Sequence, residues 1–400
     1  MNWSSEDALL LFCTRIRPDH QALRELEGLL ASDLDWEDVL EKASRHRMMS
    51  LLYHTLKDVD VNGMVPQEVM ESLKGAYYTH TVLNMRFSGK LREILRPLGN
   101  AGVEVIVLKG VALAERVYQN ISLRPMGDID LLVRKKDLGS AEACLLELGY
   151  TRYVGNKADY QSYYRRYFDR SKTIPLHIHW DLVRAPNAFE MDMEALFKKA
   201  ERCKLAGMET LVLSPEDTLI HLALHLFFTH FFNIGLIGLV DIARLIEGAE
   251  MDWERVVMEG RKRKAAGCLY VVLYFVKELF QTPIPEGTLQ KLEPSPFKKR
   301  FVLSVATEGK TILHAAFKDV HTARSQGTLL HLLLAESIRD ASETALRFLF
   351  PPREFMLDPS LSRTTSTKLF FRYITRHKTL LSRYKKSIFR LFFRVLSEIP

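Results

Sequence analysis

The sequence predicts an α+β protein: a small mixed β-sheet with flanking helices, embedded between N- and C-terminal helical regions. Three observations carry this. Val103, Val105, Val107 and Leu108 form a short β-branched run bounded by Gly102 and Gly110, as a buried core strand does. Ile129, Leu131 and Val133 alternate with polar positions in a second such run. On either side, residues 1–100 and the chain from Phe189 onward repeat apolar residues at helical spacing.

In chain order, Ser4-Ser5-Glu6-Asp7 reads as a helix start running through Phe12, and Asp33 or Asp35 caps a helix from Trp36 to His46. Asn62-Gly63 and Pro66 mark a turn before a long periodic stretch from Gln67 to about Arg96. His46, His54 and His80 in this region show no partner pattern and read as surface or packing residues. After the first strand, Val111–Gln119 has helical spacing, and Arg124-Pro125-Met126-Gly127 breaks the chain before the second strand. Asp137 opens an amphipathic helix that stops at Leu148-Gly149-Tyr150, with Gly149 as terminator. Residues 151–173 are basic and tyrosine-rich (Tyr160, Tyr163, Tyr164, Arg165, Arg166, Tyr167, Arg170), either a solvated hairpin or a strand-and-loop pair bordering a site. In Ile174–Leu182, His177, His179 and Asp181 share one strand face, and Leu176, Ile178 and Trp180 the other. Ser214-Pro215-Glu216-Asp217 is a strong helix start. The domains expected are residues 1–90 (helical), 91–185 (the sheet core), 186–362 (helical) and 363–400 (a tail helix).

Composition narrows the class. Hydrophobic content of 47% and charge of 26% suit a globular protein. Cys13, Cys144, Cys203 and Cys268 are widely spaced, which fits a reducing compartment rather than a disulfide framework or a metal-binding pattern. The first residues are acidic and lack a basic-then-apolar signal, so a cytoplasmic location is expected. Leu219–Ile246 is the most apolar segment, yet it carries His221, His225, His230, Asp241 and Arg244, and reads as a core helix pair rather than a membrane span. The net charge of +7 belongs to the tail: from Arg363 to Pro400 there are ten Lys/Arg against Glu398 alone, +9, so the remainder carries about −2. No Walker-type loop, Ser-His-Asp arrangement or dinucleotide fingerprint occurs.

The chemistry concentrates in Val103–Val133. Asp128 and Asp130 are two apart on a strand, so their carboxylates project from one face, while Ile129, Leu131 and Val133 point into the core. Two like charges held together repel unless a cation sits between them. Mg²⁺ takes carboxylate oxygens and leaves positions open for phosphate. Lys109-Gly110 and the start of a helix lie just upstream, as an anion-receptive turn. Together these parts describe a metal-nucleotide site. The alternative is a structural βαβ unit with a solvated Asp pair.

Leu108-Lys109-Gly110, a short helix with Tyr118, and then Arg124-Pro125-x-Gly127-Asp128-Ile129-Asp130-Leu131-Leu132-Val133 resemble the nucleotidyltransferase superfamily that includes DNA polymerase β. More narrowly, they resemble the bacterial family of uncharacterised nucleotidyltransferases, over about residues 90–385. His221, His225 and Asp241 recur in that family's second domain, and Leu346–Pro352 with Tyr373 and Arg376 resembles its C-terminal region. The resemblance implies a polymerase β-like core, with Asp128 and Asp130 holding Mg²⁺ or Mn²⁺. It further implies Lys109, Gly110 and Arg124 at the phosphates of a nucleoside triphosphate.

One position departs from the pattern. The family's strand reads acidic-Leu-His-Trp, the acid supplying a third metal carboxylate; matching His179-Trp180 to it puts His177 in the acid's place. Imidazole is a poor Mg²⁺ ligand. Three readings follow: a two-carboxylate site of altered metal preference, rescue by Asp181, or loss of catalysis. His177 is also a candidate general base. His221 and His225, four apart on one helix face, read as packing or substrate contacts ahead of zinc ligands.

The function expected is metal-dependent transfer of a nucleoside monophosphate from a triphosphate to an unidentified acceptor: a protein, a sugar, a small molecule or RNA. The rivals are a catalytically inactive nucleotide-binding module with a regulatory or assembly role, and a nucleic-acid or membrane-surface adaptor acting through the tail. On a helical wheel Phe370, Ile374, Leu381, Tyr384, Ile388, Phe392 and Val395 share one side of that tail, with arginines opposite. Docking of this face on the helical domain is the expectation, ahead of surface binding.

Overall fold

The computed structural model describes residues 3–15, 20–58, 63–153, 164–182, 191–230, 232, 234–307, 330, 332–335, 337–350, 371 and 373–380. It is an α+β protein, as expected. Five helices open it: α1 (Ser5–Phe12), α2 (His20–Leu30), α3 (Trp36–Arg45), α4 (Met49–Asp58) and α5 (Gln67–Asn100). Ser4 caps α1 by accepting the Asp7 N–H, and Asp35 caps α3 by accepting those of Glu37 and Asp38. Leu9, Leu10, Leu26, Val39, Leu52 and Leu73 close a small core among them. The 34 residues of α5 run without a break past position 90, where the sequence suggested a domain limit. Its second half buries Phe87, Leu91, Ile94 and Leu98 against the sheet.

The sheet alternates with helices: β1 (Val105–Leu108), α6 (Gly110–Arg116), β2 (Ile129–Val133), α7 (Leu138–Glu147), β3 (Thr151–Arg152), β4 (Tyr164–Phe168), β5 (Pro175–His179), α8 (Met193–Lys199), β6 (Glu201–Leu205) and β7 (Met208–Val212). The strand order is β3-β4-β5-β2-β1-β7-β6. β2 lies at the centre, antiparallel to β1 and parallel to β5, with Leu108 opposite Asp130 and Asp130 beside His177. Val105, Val107, Ile129, Leu131, Leu176 and Ile178 face the core under α5 and α7. Ile106, Leu108 and Leu132 face the other side, with Leu196 and Phe197 of α8. Asp130 shares that second face, as the two-residue alternation required.

The β6–β7 hairpin corrects the expectation that the chain is helical from Phe189 onward. Its turn is Ala206-Gly207, both with positive φ (50° and 77°), the backbone of a two-residue primed turn. β6 lies at the edge and is only partly buried, so its Glu-Arg-Cys-Lys run has no strong strand signal.

Beyond the sheet come α9 (Pro215–Leu224), a π-helix (His225–His230), α10 (Ile237–Gly248), α11 (Trp253–Lys262), α12 (Ala266–Phe280), α13 (Glu286–Leu292), α14 (Pro296–Thr307) and the helix Ile338–Leu349. Ser214 caps α9 with Pro215 in its first turn, as the sequence signalled. Phe227, Leu239, Val240, Leu269 and Val272 are central to its core, which also takes Leu113, Tyr118 and Leu123 from the α6 region. Among the described residues, no helix is long and apolar enough to cross a membrane. Most of the tail's expected apolar face, Phe370, Leu381, Tyr384, Ile388, Phe392 and Val395, lies outside the described residues. Within them, Arg376 donates to the Phe348 carbonyl at 2.7 Å, and the His377 ring stands 5.1 Å from that of Phe350.

Candidate active site

Asp128 links the Arg124–Gly127 loop to β2, and Asp130 is the second residue of β2. Asp130 is buried, whereas the Asp128 side chain is 42% exposed. The two carboxylates converge on His177: its Nδ1 lies 3.1 Å from Asp130 Oδ1 and 3.4 Å from Asp128 Oδ2. His179, two residues on along β5, brings Nε2 to 2.8 Å from the same Asp130 Oδ1. Asp130, His177 and His179 thus bring one donor atom each within 4.8 Å of one another, the only such trio of His, Cys, Asp or Glu among the described residues. The Tyr164 ring of β4 covers both imidazoles, at 4.8 and 4.9 Å. Asp181 lies beyond the end of β5 and outside the trio.

Lys109 closes the other side. Its Nζ is 2.9 Å from Asp130 Oδ2 and 3.1 Å from His225 Nε2, so the ammonium bridges the sheet to the π-helix. To do this Lys109 adopts φ 43°, ψ −127°, a conformation L residues avoid, costing about 1–3 kcal/mol. Gly110 begins the seven-residue α6 directly after it. A Cβ on Gly110 would stand 3.4 Å from the Asp128 carbonyl oxygen, so the helix start and the aspartate loop lie in contact. In the π-helix, residues five apart stack, and the His225 and His230 rings meet at 4.6 Å. Such π segments recur at functional sites. His221, fully buried one turn earlier, has no hydrogen-bond partner for either ring nitrogen among the described residues.

These contacts set the charges. Burial pushes the Asp130 carboxyl up, but Lys109, His177 and His179 outweigh it and hold it well below the usual range. Asp128 is raised, first by burial and then by repulsion from Asp130. Burial lowers His179, lowers His225 strongly, and brings His221 down to about 3.

Arg124 is placed differently from the other phosphate-binding candidates. Its guanidinium forks onto Asp241 of α10, with Nε to Oδ1 at 2.9 Å and Nη2 to Oδ2 at 2.8 Å. Tyr118 donates to the same Oδ1 at 2.8 Å, and Arg244 covers the Tyr118 ring at 4.7 Å. Asn84 of α5 donates to the carbonyls of Ile121 and Arg124. Three of the motif residues, Tyr118, Arg124 and Asp241, are therefore one buried assembly that ties the aspartate loop to the helical core. Arg166 of β4, flagged in sequence only as part of a basic stretch, enters the site directly by donating Nε–H to His177 Nε2 at 3.0 Å.

The Asp-x-Asp pair spans the start of β2, the central strand of the mixed sheet, and a helical unit follows. The family model of uncharacterised nucleotidyltransferases matches residues 32–281, more than half of the chain, and the protein belongs to that family. The match begins within the N-terminal helices, earlier than the motifs in the sheet. No curated protein matches the sequence.

Proposed function

We propose that the protein moves a nucleoside monophosphate from a nucleoside triphosphate to an acceptor hydroxyl with the help of a divalent metal ion. Family membership supports nucleotidyl transfer in general. The observation carrying the finer reading is the convergence of Asp128, Asp130, His177 and His179 on one point.

The donor set fits a divalent transition ion such as Mn²⁺ better than Mg²⁺, because an imidazole stands among its carboxylates. Asp128 and Asp130 Oδ1 would hold it, joined by His179 Nε2 once the proton it shares with Asp130 moves to Nδ1. A bound ion of this kind polarises phosphoryl oxygens and offsets charge developing in the transfer. Lys109 keeps Asp130 Oδ2 occupied and so turns Oδ1 toward the donors, the supporting role that orients a ligand. Lys109 and Gly110 edge the space for the phosphates. Arg124 acts as a positioning residue, holding the aspartate loop through Asp241. In the transfer the acceptor oxygen bonds to the α-phosphorus and gives up its hydroxyl proton to solvent, the bond to the bridging oxygen breaks and pyrophosphate leaves.

One feature favours a second reading, a nucleotide-binding module without turnover. His177 stands at the third acid's position and holds its Nδ1 proton toward the carboxylates, so in this arrangement it takes no proton there. Incubation with α- and γ-labelled triphosphates and cell extract separates the two. Label reaching an acceptor from the α-position alone supports transfer. Triphosphate binding without label transfer favours the module, and absence of binding sinks both.

A further inference from the structure

Arg47 lies outside the sheet, at the C-terminal turn of α3. The Arg47 N–H bonds to the Ser44 carbonyl at 3.0 Å and the Met48 N–H to that of Ala43 at 2.7 Å. This pair of bonds defines a Schellman turn, whose central position needs positive φ and usually holds glycine. Here it is an arginine, with φ 61°. Adjacent backbone fixes the turn from outside. His46 Nδ1 accepts the Leu236 N–H at 3.3 Å, and a Cβ on Gly235 would fall 2.7 Å from His46 Cα. The strained arginine is thereby aimed at the aspartate loop: its Nη2 lies 4.0 Å from where a Cβ on Gly127 would stand, next to Asp128.

The other cations at the site are engaged. Lys109 holds Asp130, Arg124 forks onto Asp241, and Arg166 donates to His177. Arg47 is exposed and, among the described residues, has no carboxylate within ion-pair distance. Burial of its stem and the neighbouring Arg124 lower its pKa, Asp128 and Asp241 raise it, and the guanidinium stays charged. Counting Asp128, Asp130 and Asp241 against Lys109, Arg47, Arg124 and Arg166 leaves one positive charge. A divalent ion would raise it to about three, which a ligand of about −4, the charge of a triphosphate chain, offsets.

We propose that Arg47, supplied by the N-terminal helices, binds the polyphosphate arm of the nucleoside triphosphate beyond the α-phosphate. This rests on the nucleotidyl-transfer reading above. A guanidinium presents two parallel donors to phosphate oxygens, and its place at the exposed Asp128 side suits the leaving pyrophosphate rather than the reacting phosphorus. It also accounts for an arginine where glycine is the less strained residue.

The test is calorimetric titration of the full chain with Mn²⁺ present, using the four nucleoside triphosphates, their monophosphates and inorganic tripolyphosphate. Arg47→Gly relaxes the turn and should melt at or above the parent, yet bind triphosphate and tripolyphosphate about ten- to a hundredfold more weakly. Monophosphate and Mn²⁺ affinity should be unchanged. Arg47→Lys, which keeps the charge and the side-chain bulk, should fall between and guards against a folding defect in the glycine variant. Equal triphosphate affinity in parent and both variants overturns the assignment and leaves nucleotidyl transfer standing. A parent that binds none of the four triphosphates overturns both.

Discussion

Arg166 Nε stands 3.0 Å from His177 Nε2, and that one bond determines what His177 can do. A guanidinium only donates, so Nε2 is the acceptor and the ring proton sits on Nδ1. That proton points between Asp130 Oδ1 and Asp128 Oδ2, 3.1 and 3.4 Å away. It stands where a third carboxylate would leave room for a cation. For Nδ1 to ligate a metal, the proton must move to Nε2 and Arg166 must withdraw.

Arg166→Met should therefore tighten Mn²⁺ binding, because His177 becomes free to adopt the other tautomer. Histidine ¹⁵N shifts should report Nδ1–H in the parent and a switch to Nε2–H in the metal-loaded variant. An unchanged Mn²⁺ affinity would mean that His177 takes no part in holding the ion. His177→Asp, by contrast, supplies a third carboxylate and should move preference from Mn²⁺ toward Mg²⁺.

The two aspartates should behave differently when neutralised. Asp130→Asn removes the counter-ion of a mostly enclosed Lys109 and the acceptor of two imidazoles, and losses of about 3–5 kcal/mol accompany such broken pairs around a buried carboxylate. Asp128 is raised by burial and by Asp130, so its ionised form already disfavours the fold at neutral pH. Asp128→Asn should then leave the melting temperature unchanged or higher while weakening metal binding. A comparable drop in both variants would argue against this asymmetry.

What the sequence revealed followed the range of its forces. Strands β1, β2 and β5 announce themselves through alternation, and the two-residue period pairs Asp128 with Asp130 and His177 with His179, though Asp181, expected on the histidine face, lies beyond β5. Caps at Ser4, Asp35 and Ser214 were equally local. The family resemblance puts Arg124 at the phosphates, and nothing local in the chain points to its fork onto Asp241, 117 residues away. Arg47 carried no signal, since a strained turn without glycine looks like ordinary helix. The β6–β7 edge hairpin was missed because its exposed face is polar and its primed turn rests on Ala206 as well as Gly207.

The Tyr118–Arg124–Asp241 assembly should be worth more to stability than to ligand contact. Asp241→Asn leaves Arg124 buried without its charge partner and should lower stability by about 3–5 kcal/mol. Tyr118→Phe removes one hydrogen bond and should lower it by about 1–2 kcal/mol. Denaturant unfolding measures both. A near-neutral Asp241→Asn would show that the fork does not hold the aspartate loop.

Acid should unfold the protein partly through His221. Burial takes its pKa from 6.5 down to about 3, so the native ring stays uncharged while the unfolded chain takes up a proton below pH 6.5. The unfolded state then binds more protons, and stability falls as pH drops from about 6.5 toward 3. For this residue the loss is about 1.4 kcal/mol at pH 5.5. His221→Met should narrow the gap in stability between pH 7.5 and 5.5 by that amount. A gap unaltered by the substitution would mean that the ring is protonated, or solvated, in the native state.

Under the proposed function, Asp130 with Asp128 and the β5 histidines drives metal-dependent nucleotidyl transfer. The most direct measurement is pyrophosphate release from mixed nucleoside triphosphates in cell extract supplied with the purified protein, with Mn²⁺, Mg²⁺ or chelator. The account predicts release that needs the divalent ion, is greater with Mn²⁺ than with Mg²⁺, and falls to background with Asp130→Asn whenever that variant remains folded. Release that persists in folded Asp130→Asn, or that is indifferent to chelator, would contradict it.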